Sequence, residues 1–501
     1  MSTPVRPARR SLLAAPIFPV VLAAAWVLDT FGYNGDPLPH LWRPLIITTV
    51  AVMGIVGIVW VASRRRPLPP LITGILVLLF LKAWPLLGAV LAISVWRAAA
   101  AVGRRMRRGA PLPEPGAVQV TRLANAFALV VLAVVLVSLI PRGVIGFMPA
   151  TAERGSAPAT APNMYFVLLD GYPREDSLHL LGIDNRAFIG ELEQRGFTTA
   201  TASHTNYHQT QLTLLSMFNG RYIADLPELA NPPDDRAAEL RFINRALGGT
   251  RLLDDLRRHG YTIIESPSAY GATTVFTADV LMRPDGFNHF DNLLVANTFL
   301  GDLLSILSPD LIDGWLRDAV RAPMIDAASV AASASGTPHF MLAHVLSPHM
   351  PFLFDATGAD PHVQACYPSG CSIWTSERRV LGLSAADYAR LMDGQVRYIN
   401  TQILEMVDRL TADDPNAVIV LFGDHGLRFS TGVSTEYFRD FFAARTPGHP
   451  ALFPDDIAPV NVLSMIENAY LGTELPMRDY EAWQSTNGLV LRLVRRLPDP
   501  Q

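Results

Sequence analysis

The sequence predicts a protein of two parts: a bundle of about five transmembrane helices in residues 1–140, followed by an α/β sandwich with a mostly parallel sheet. Half of the 501 residues are hydrophobic and only 17% are charged, whereas soluble domains average roughly a quarter charged residues. Residues 1–150 carry a net charge of +12 and the remainder −16. After residue 163, short apolar runs alternate with helical patterns, which is typical of α/β proteins.

Five apolar stretches cover residues 12–29, 45–62, 70–83, 85–102 and 123–140. The first, second and fifth approach the roughly 20 residues that span a bilayer, and the other two read as short spans joined by a turn. Arginine clusters lie at residues 6–10, 64–66 and 97–108. Because arginine-rich loops stay in the cytoplasm, these clusters predict five crossings and place the following domain outside the cytoplasm. A cleaved signal peptide is the alternative for the first stretch alone.

Residues 141–162 are Pro, Gly, Ala, Ser and Thr without periodicity, which predicts a linker. The second domain, residues 163–501, contains the only two cysteines, Cys366 and Cys371. In a domain outside the cytoplasm we expect them to close a small disulfide loop. The acidic balance of this domain argues against nucleic acid as a partner.

Four apolar runs, at residues 164–169, 261–264, 340–343 and 417–422, predict strands buried in a parallel sheet, with helical patterns at 188–195, 252–259 and 388–410. Ligands of such sheets gather at the carboxyl ends of the strands. Four polar residues fall at or just after these ends: Asp170, His344, Asp424 and His425. Each alone is more often a turn or surface residue, but together their carboxylates and imidazoles predict a divalent metal site.

Thr210 begins a helical pattern that continues through Leu212, Leu215 and Met217. A threonine in this place is a common helix cap. Its hydroxyl also lies where a helix N-terminus binds phosphate, and a metal would make that hydroxyl a nucleophile. Both roles remain open at this point.

These segments, in this order, resemble the alkaline phosphatase/sulfatase superfamily over about residues 160–475. The resemblance rests on the strand ending in Asp170-Gly171, on Thr210 with Gly220 and Arg221 ten and eleven residues later, on HVLSPHMPF, on GDHG and on the closing segment PVNVLSMIENAYLG. Together with the N-terminal spans, the chain resembles the membrane branch of lipoteichoic acid synthases, phosphoglycerol transferases and phosphoethanolamine transferases.

The resemblance implies that Thr210 is the nucleophile and that His349 binds substrate or acts as an acid. His344 would either orient a ligand or fill a polar pocket. Arg428 and Arg221 would pair with a substrate oxyanion, with helix capping as the alternative for Arg221. One divalent metal (Mn, Zn, Mg or Ca) would be held by four residues: Asp170, Thr210, Asp424 and His425.

The departures from the family pattern narrow the expected reaction. Asp170 stands where the membrane branch usually has Glu. Pro454, Asp455 and Asp456 occupy the place where the two-metal phosphatases have a histidine, so one metal is expected. Sulfatases use a modified Cys or Ser where this chain has Thr210, and they use lysines around sulfate, whereas Lys82 is the only lysine here. We therefore predict a membrane-anchored phosphotransferase or hydrolase acting on phospho-esters of a lipid head group or envelope glycan. The alternatives are a sulfuric ester hydrolase of the same fold and a non-catalytic envelope-binding protein.

Overall fold

The computed structural model describes residues 15–64, 68–82, 117–144, 150–158, 161–268, 270–282, 288–307, 309–333, 336–363, 382–428, 435–486 and 488–497. The chain divides into two compact units. The first, called here the helical unit, comprises Met1–Ile145 and Phe290–Ile306. The second, the sheet unit, comprises Gly146–His289 and Leu307–Gln501.

The described residues contain α-helices with these bounds: α1 Phe18–Asn34, α2 Pro39–Ala62, α3 Leu68–Phe80, α4 Ala117–Leu139, α5 Glu175–His179, α6 Arg186–Gln194, α7 Thr210–Asn219, α8 Arg236–Gly248, α9 Arg251–Arg258, α10 His289–Ala296, α11 Phe299–Leu307, α12 Pro309–Ser333, α13 Ala385–Asp413 and α14 Pro459–Leu471. The strands are β1 Met164–Leu169, β2 Thr198–Thr199, β3 Thr262–Ser266, β4 Val280–Leu281, β5 His339–Val345, β6 Val418–Gly423, β7 Phe442–Arg445, β8 Ala482–Ser485 and β9 Leu493–Leu497.

In the helical unit, α2 and the Gln119–Leu139 part of α4 are long and apolar enough to cross a membrane. Helix α3 is apolar but shorter, and α1 has 17 residues. The predicted span 85–102 lies outside the described residues, so the bundle of five spans stays a prediction. A buried polar side chain joins two of these helices, because Asn125 of α4 accepts hydrogen bonds from the amides of Ile17 and Phe18 at the start of α1 (3.1 and 2.9 Å).

The sheet unit is built on a seven-stranded sheet in the order β2-β7-β6-β1-β5-β3-β4. Strand β1 lies at its centre and pairs in parallel with β5 and β6. Among the described strands of this sheet, β7 alone runs in the opposite direction, because it pairs antiparallel with both β2 and β6. The predicted α/β class with a mostly parallel sheet is confirmed, because a continuous apolar run such as Met164–Leu169 is stable where both faces of a strand are covered.

Helices cover both faces of this sheet. The alternate residues Phe166 and Leu168 of β1 share a buried cluster with apolar residues of α7 and α14. Tyr165, Val167 and Leu169 point the other way and share a second cluster with residues of α12 and α13. The two-residue period of a strand thus divides one apolar hexapeptide between two cores, and it leaves the carboxyl end of β1 at the edge of both.

The predicted strand 164–169 is β1 with the expected bounds, and the other three predicted strands are present with shifted bounds. Strand β5 extends from His339 to Val345 and so includes His344, while β3 continues to Ser266. The bounds differ because the predictions ended each strand at the first polar residue. A buried strand continues through a polar residue whose side chain has hydrogen-bond partners. Cys366 and Cys371 lie outside the described residues, so their disulfide stays a prediction, as do the predicted domain bounds.

Candidate active site

The candidate site begins where the central strand ends. Asp170 follows β1 directly and is 3% exposed. Its amide donates to the carbonyl of Val345 at 2.9 Å, and its own carbonyl accepts from the amide of His349 at 2.9 Å. These two backbone bonds hold the end of β1 against the segment that follows β5, so Asp170 and His349 come together although 179 positions separate them in the chain.

Asp424 and His425 follow the neighbouring strand β6. One carboxylate oxygen of Asp424, Oδ1, accepts from the amide of Gly171 at 2.8 Å. The other, Oδ2, lies 3.7 Å from His425 Nε2, which in turn lies 3.6 Å from Asp170 Oδ1. Asp424 Oδ2 and His425 Nε2 are buried and have no hydrogen-bond partner among the described residues. Buried polar atoms are rarely left unpaired, so these two point to a ligand.

Asp170, His349 and His425 each offer one ligand atom, and these atoms lie within 4.8 Å of one another. All three side chains are buried. His349 and His425 each place Nδ1 at 2.8 Å from a backbone carbonyl, that of Met350 and of Gly426. If Nδ1 of His425 carries the proton for that bond, its unpartnered Nε2 is left with a lone pair, which is the arrangement of a metal-binding histidine.

The charge of Asp170 is maintained against burial. Burial alone would raise the pKa of its carboxyl, but the nearby imidazoles of His349, His344 and His425 hold that pKa well below its usual range. Asp170 therefore stays a carboxylate at neutral pH. A carboxyl group must be ionised to bind a cation, and Asp170 meets this condition.

His344 lies between Asp170 and the hydroxyl of a threonine. Its Nε2 lies 3.2 Å from Asp170 Oδ2, and its Nδ1 lies 3.0 Å from the hydroxyl of Thr273. Both ring nitrogens of His344 therefore have polar partners within the site.

Thr210 is the first residue of α7, and the capping position belongs to Gln209. The amides of Leu212 and Thr213 bond back to the carbonyl of Gln209, so Thr210 does not have the capping role that the sequence left open. One turn later, the hydroxyl of Thr213 donates to the carbonyl of Asp424 at 3.1 Å. Residues three apart share a helix face, so Thr210 lies on the face of α7 that contacts the Asp424 segment.

The two predicted arginines lie in different places. Arg428 donates from Nη2 to the carbonyl of His208, two residues before Thr210. Arg221 is exposed beyond the other end of α7, which is about 15 Å away for a ten-residue helix. The structure thus brings Arg428 to the Thr210 segment and does not bring Arg221 there.

The Gly220-Arg221 pair has a structural explanation. Gly220 ends α7 with a φ of 58°, and a Cβ atom at this position would lie 2.6 Å from Ser464 Oγ of α14. Glycine is favoured where a helix ends in a left-handed residue against a close neighbour. This part of the motif therefore fixes the end of the helix that begins at Thr210.

Residues 162–451 match the family model described as Sulfatase. This is more than half of the chain. The chain belongs to the sulfatase family. It is accordingly an enzyme of the alkaline phosphatase/sulfatase superfamily, and the predicted resemblance is confirmed.

Several solved structures are similar to this sulfatase-family chain. The C-terminal periplasmic domain of EptC from Escherichia coli is 12% identical with a TM-score of 0.40, covering 70% of this chain and 96% of that one. The integral membrane protein lipooligosaccharide phosphoethanolamine transferase A from Neisseria meningitidis is 13% identical with a TM-score of 0.38, covering 91% and 83%. A 2-O GAG sulfatase is 13% identical with a TM-score of 0.39, covering 63% and 72%. No curated protein matches the chain.

Sequence reasoning missed three residues that support the site of this sulfatase-family enzyme. Thr213 was detectable, because it lies one helical turn after Thr210. Thr273 and His208 carry no local signal: Thr273 reaches His344 from a short turn 71 residues earlier, and His208 Nε2 accepts from the amide of Ser485 at 3.3 Å. Burial and the nearby positive charge of Arg428 lower the pKa of His208 to about 3, so it remains a neutral acceptor.

Proposed function

We propose that this enzyme is a membrane-anchored, metal-dependent phosphotransferase or hydrolase that acts outside the cytoplasm on phospho-esters of a lipid head group or an envelope glycan. The observation that carries the proposal is the buried cluster of Asp170, His349 and His425, whose ligand atoms lie within 4.8 Å of one another beside the unpartnered Oδ2 of Asp424.

The residues of the cluster fit a divalent cation. Carboxylate oxygen and imidazole nitrogen are the donors that such ions take in proteins. The two orphaned atoms, Asp424 Oδ2 and His425 Nε2, would both gain a partner. Asp170, Asp424, His425 and Thr210 would hold the ion (Mn, Zn, Mg or Ca), which supplies charge neutralisation and a lowered pKa for a bound hydroxyl.

Thr210 would act as the nucleophile. Its Oγ forms a bond to phosphorus while the bond from phosphorus to the leaving oxygen breaks, which leaves a phosphothreonine. The proton of the hydroxyl passes to solvent, and an acceptor alcohol or water then attacks the phosphothreonine and releases Thr210. The start of α7 favours this placement, because the amides at a helix N-terminus bind phosphate oxygens.

Two other residues have proposed roles in this reaction. His349 lies beside the ion but is not one of its four proposed ligands. With Nδ1 bonded to the carbonyl of Met350, it would hold a second proton on Nε2 and give it to the leaving oxygen. Arg428 would keep the segment before Thr210 in place through the carbonyl of His208. Arg221 is not included, since it lies at the far end of α7.

A sulfuric ester hydrolase is the second candidate, because the chain belongs to the sulfatase family. Two sequence features favour phospho-esters instead. Threonine occupies the nucleophile position, and the single lysine, Lys82, belongs to the helical unit, so the sheet unit contains no lysine. The two candidates differ in a direct assay of the purified protein with an aryl phosphodiester and an aryl sulfate.

The deciding experiment is mass spectrometry of the detergent-purified protein for an adduct on Thr210, with turnover and bound metal measured on the same sample. We expect Thr210→Ala to abolish turnover and Thr210→Ser to retain part of it, since serine keeps the hydroxyl. Thr401→Ala, an exposed threonine of α13, is the matched control. Wild-type turnover by Thr210→Ala would refute the nucleophile, and a metal-free active enzyme would refute the metal.

A further inference from the structure

Residues Phe290–Ile306 interrupt the sheet unit in sequence but belong to the helical unit in space. They form α10 and most of α11. From α10, Phe290 and Leu294 are buried in one cluster with Phe31 of α1 and Leu139 of α4. The rings of Phe31 and Phe290 meet edge to face at 5.2 Å between centroids. The segment is therefore packed into the helical unit as an integral part.

Two ion pairs accompany this packing. Arg43 of α2 pairs with Asp291, whose side chain is buried. Lys82, just after α3, lies 2.7 Å from Asp302 of α11 and 5.5 Å from the centre of the Phe299 ring. Both acidic residues come from the inserted segment, and both basic residues come from the N-terminal part of the chain. The two segments are therefore complementary in charge.

All of these contacts lie on one side of the predicted topology. Phe31 is near the end of α1, Arg43 near the start of α2, Lys82 after α3 and Leu139 at the end of α4. With the N-terminus in the cytoplasm, each of these positions is on the outer side. The inserted segment follows residue 140 and is predicted to lie on the same side, which agrees with the contacts.

The outer face of α11 is apolar and exposed. Leu300, Leu303, Ile306 and Leu307 recur at the spacing of one helix face, and Leu303 and Ile306 are 49% and 76% exposed. In the same unit, the side chains of Ile46 and Ile47 are also exposed. They lie in the first half of α2, near Arg43 in the chain. A helix with one apolar face, beside spans with exposed apolar surface, is able to bury that face at the boundary between lipid head groups and acyl chains.

We propose that α11 lies in the outer surface of the membrane, with Leu303 and Ile306 in contact with lipid acyl chains, and that Arg43–Asp291 and Lys82–Asp302 fix the segment to the ends of the spans. The inference rests on the proposed membrane topology and goes beyond it, because it assigns a membrane contact to a segment of the catalytic half of the sequence.

The test uses the full-length protein in lipid nanodiscs of phosphatidylethanolamine and phosphatidylglycerol, in a background with Cys366 and Cys371 replaced by Ser. A single cysteine at position 303 or 306 carries an environment-sensitive fluorophore, and nitroxide lipids quench it. We expect a blue-shifted emission and loss of fluorescence, strongest with the nitroxide near the head group. Position 50, exposed near the middle of α2, serves as the deep reference, and position 401 as the aqueous one.

The outcomes test the interfacial position of α11 and the membrane anchor separately. Quenching at 50 without quenching at 303 and 306 above the level at 401 overturns the interfacial helix and leaves the membrane anchor intact. No quenching at 50 overturns the anchor itself. A second measurement uses Lys82 as the only lysine: a zero-length carbodiimide should join it to Asp302, and Lys82→Arg should remove that cross-link. A wild-type protein without the cross-link contradicts the docking.

Discussion

Asp170 and Glu467 are both buried carboxyl groups of the sheet unit, and their charges differ. Asp170 faces His349, His344 and His425, which keep its pKa well below the usual range although burial opposes this. Glu467, on α14, is buried to the same degree, and burial with the nearby charge of Asp255 raises its pKa to about 9 against the influence of Arg251. At neutral pH the first is therefore a carboxylate and the second a neutral acid.

Glu265 is a second buried carboxyl group that burial leaves neutral. It lies on β3 and accepts a hydrogen bond from the amide of Val275 at 2.6 Å, yet burial raises its pKa to about 8. One backbone donor does not keep a buried carboxyl ionised, whereas three imidazoles do. The comparison shows what distinguishes the candidate site: its buried carboxyl group, Asp170, stays ionised, whereas burial leaves the carboxyl groups of Glu265 and Glu467 neutral.

The largest effect should come from removing that retained charge. We expect Asp170→Asn to lower turnover by at least about 100-fold, the scale of losing one electrostatic contact at a reacting centre, and to lower bound metal. Glu467→Gln should leave both unchanged because it replaces an already neutral group. Turnover and metal content of the two purified variants check this. Equal losses in both variants would contradict the distinction between the two carboxyls.

Gly171→Ala should have the next largest effect. Gly171 has a φ of +66°, and a Cβ atom would lie 3.1 Å from His425 Cε1. Displacing His425 should lower turnover about tenfold or more, since small misplacements at a reacting centre are costly. Gly182→Ala is the matched control, because Gly182 has a φ of +75° and open space around it.

Both glycine variants should lose about 1 kcal/mol of stability from the left-handed backbone. Only Gly171→Ala should lose activity. Thermal unfolding and turnover of the two proteins, measured side by side, separate backbone strain from pressure on His425. A similar loss of activity in Gly182→Ala would show that strain alone accounts for the effect.

Thr273→Val should lower turnover about tenfold, the lower end of what the loss of a residue supporting a metal ligand costs. The valine keeps the shape but removes the hydroxyl that lies 3.0 Å from His344 Nδ1. Asp170 would then be less firmly oriented. A matched measurement with Thr274→Val, the buried neighbour, shows whether any hydroxyl in this turn matters or only the one at His344.

The last effect is one of pH on stability rather than on turnover. The pKa of Glu467 is about 9 in the folded protein and about 4.5 when exposed, so the folded state binds its proton more tightly. Its contribution is full below pH 4.5 and is lost as the pH rises toward 9, by up to about 1.4 kcal/mol per pH unit. Glu467→Gln should therefore flatten the decline of thermal stability between pH 6 and 9, and Glu405→Gln, an exposed control, should not.

The fold and the centre of the site were predictable for one physical reason. Apolar runs buried on both faces identify parallel strands, and residues at their carboxyl ends meet, which located Asp170, Asp424 and His425. What joins distant segments was not predictable. The hydroxyl of Thr273 approaches His344 only through the packing of a turn, and the membership of 290–306 in the helical unit depends on ion pairs such as Lys82–Asp302.

The position of β1 also sets an order of events during synthesis. It is the first strand of the sheet to be made, but its partners β5 and β6 begin at residues 339 and 418. At ordinary rates of translation, about 10 to 50 s pass before the second partner is complete. Through that interval the hexapeptide MYFVLL has unpaired edges of a kind that aggregates readily. Chaperone protection of the nascent chain should therefore be needed longest for the strand that ends up most deeply covered.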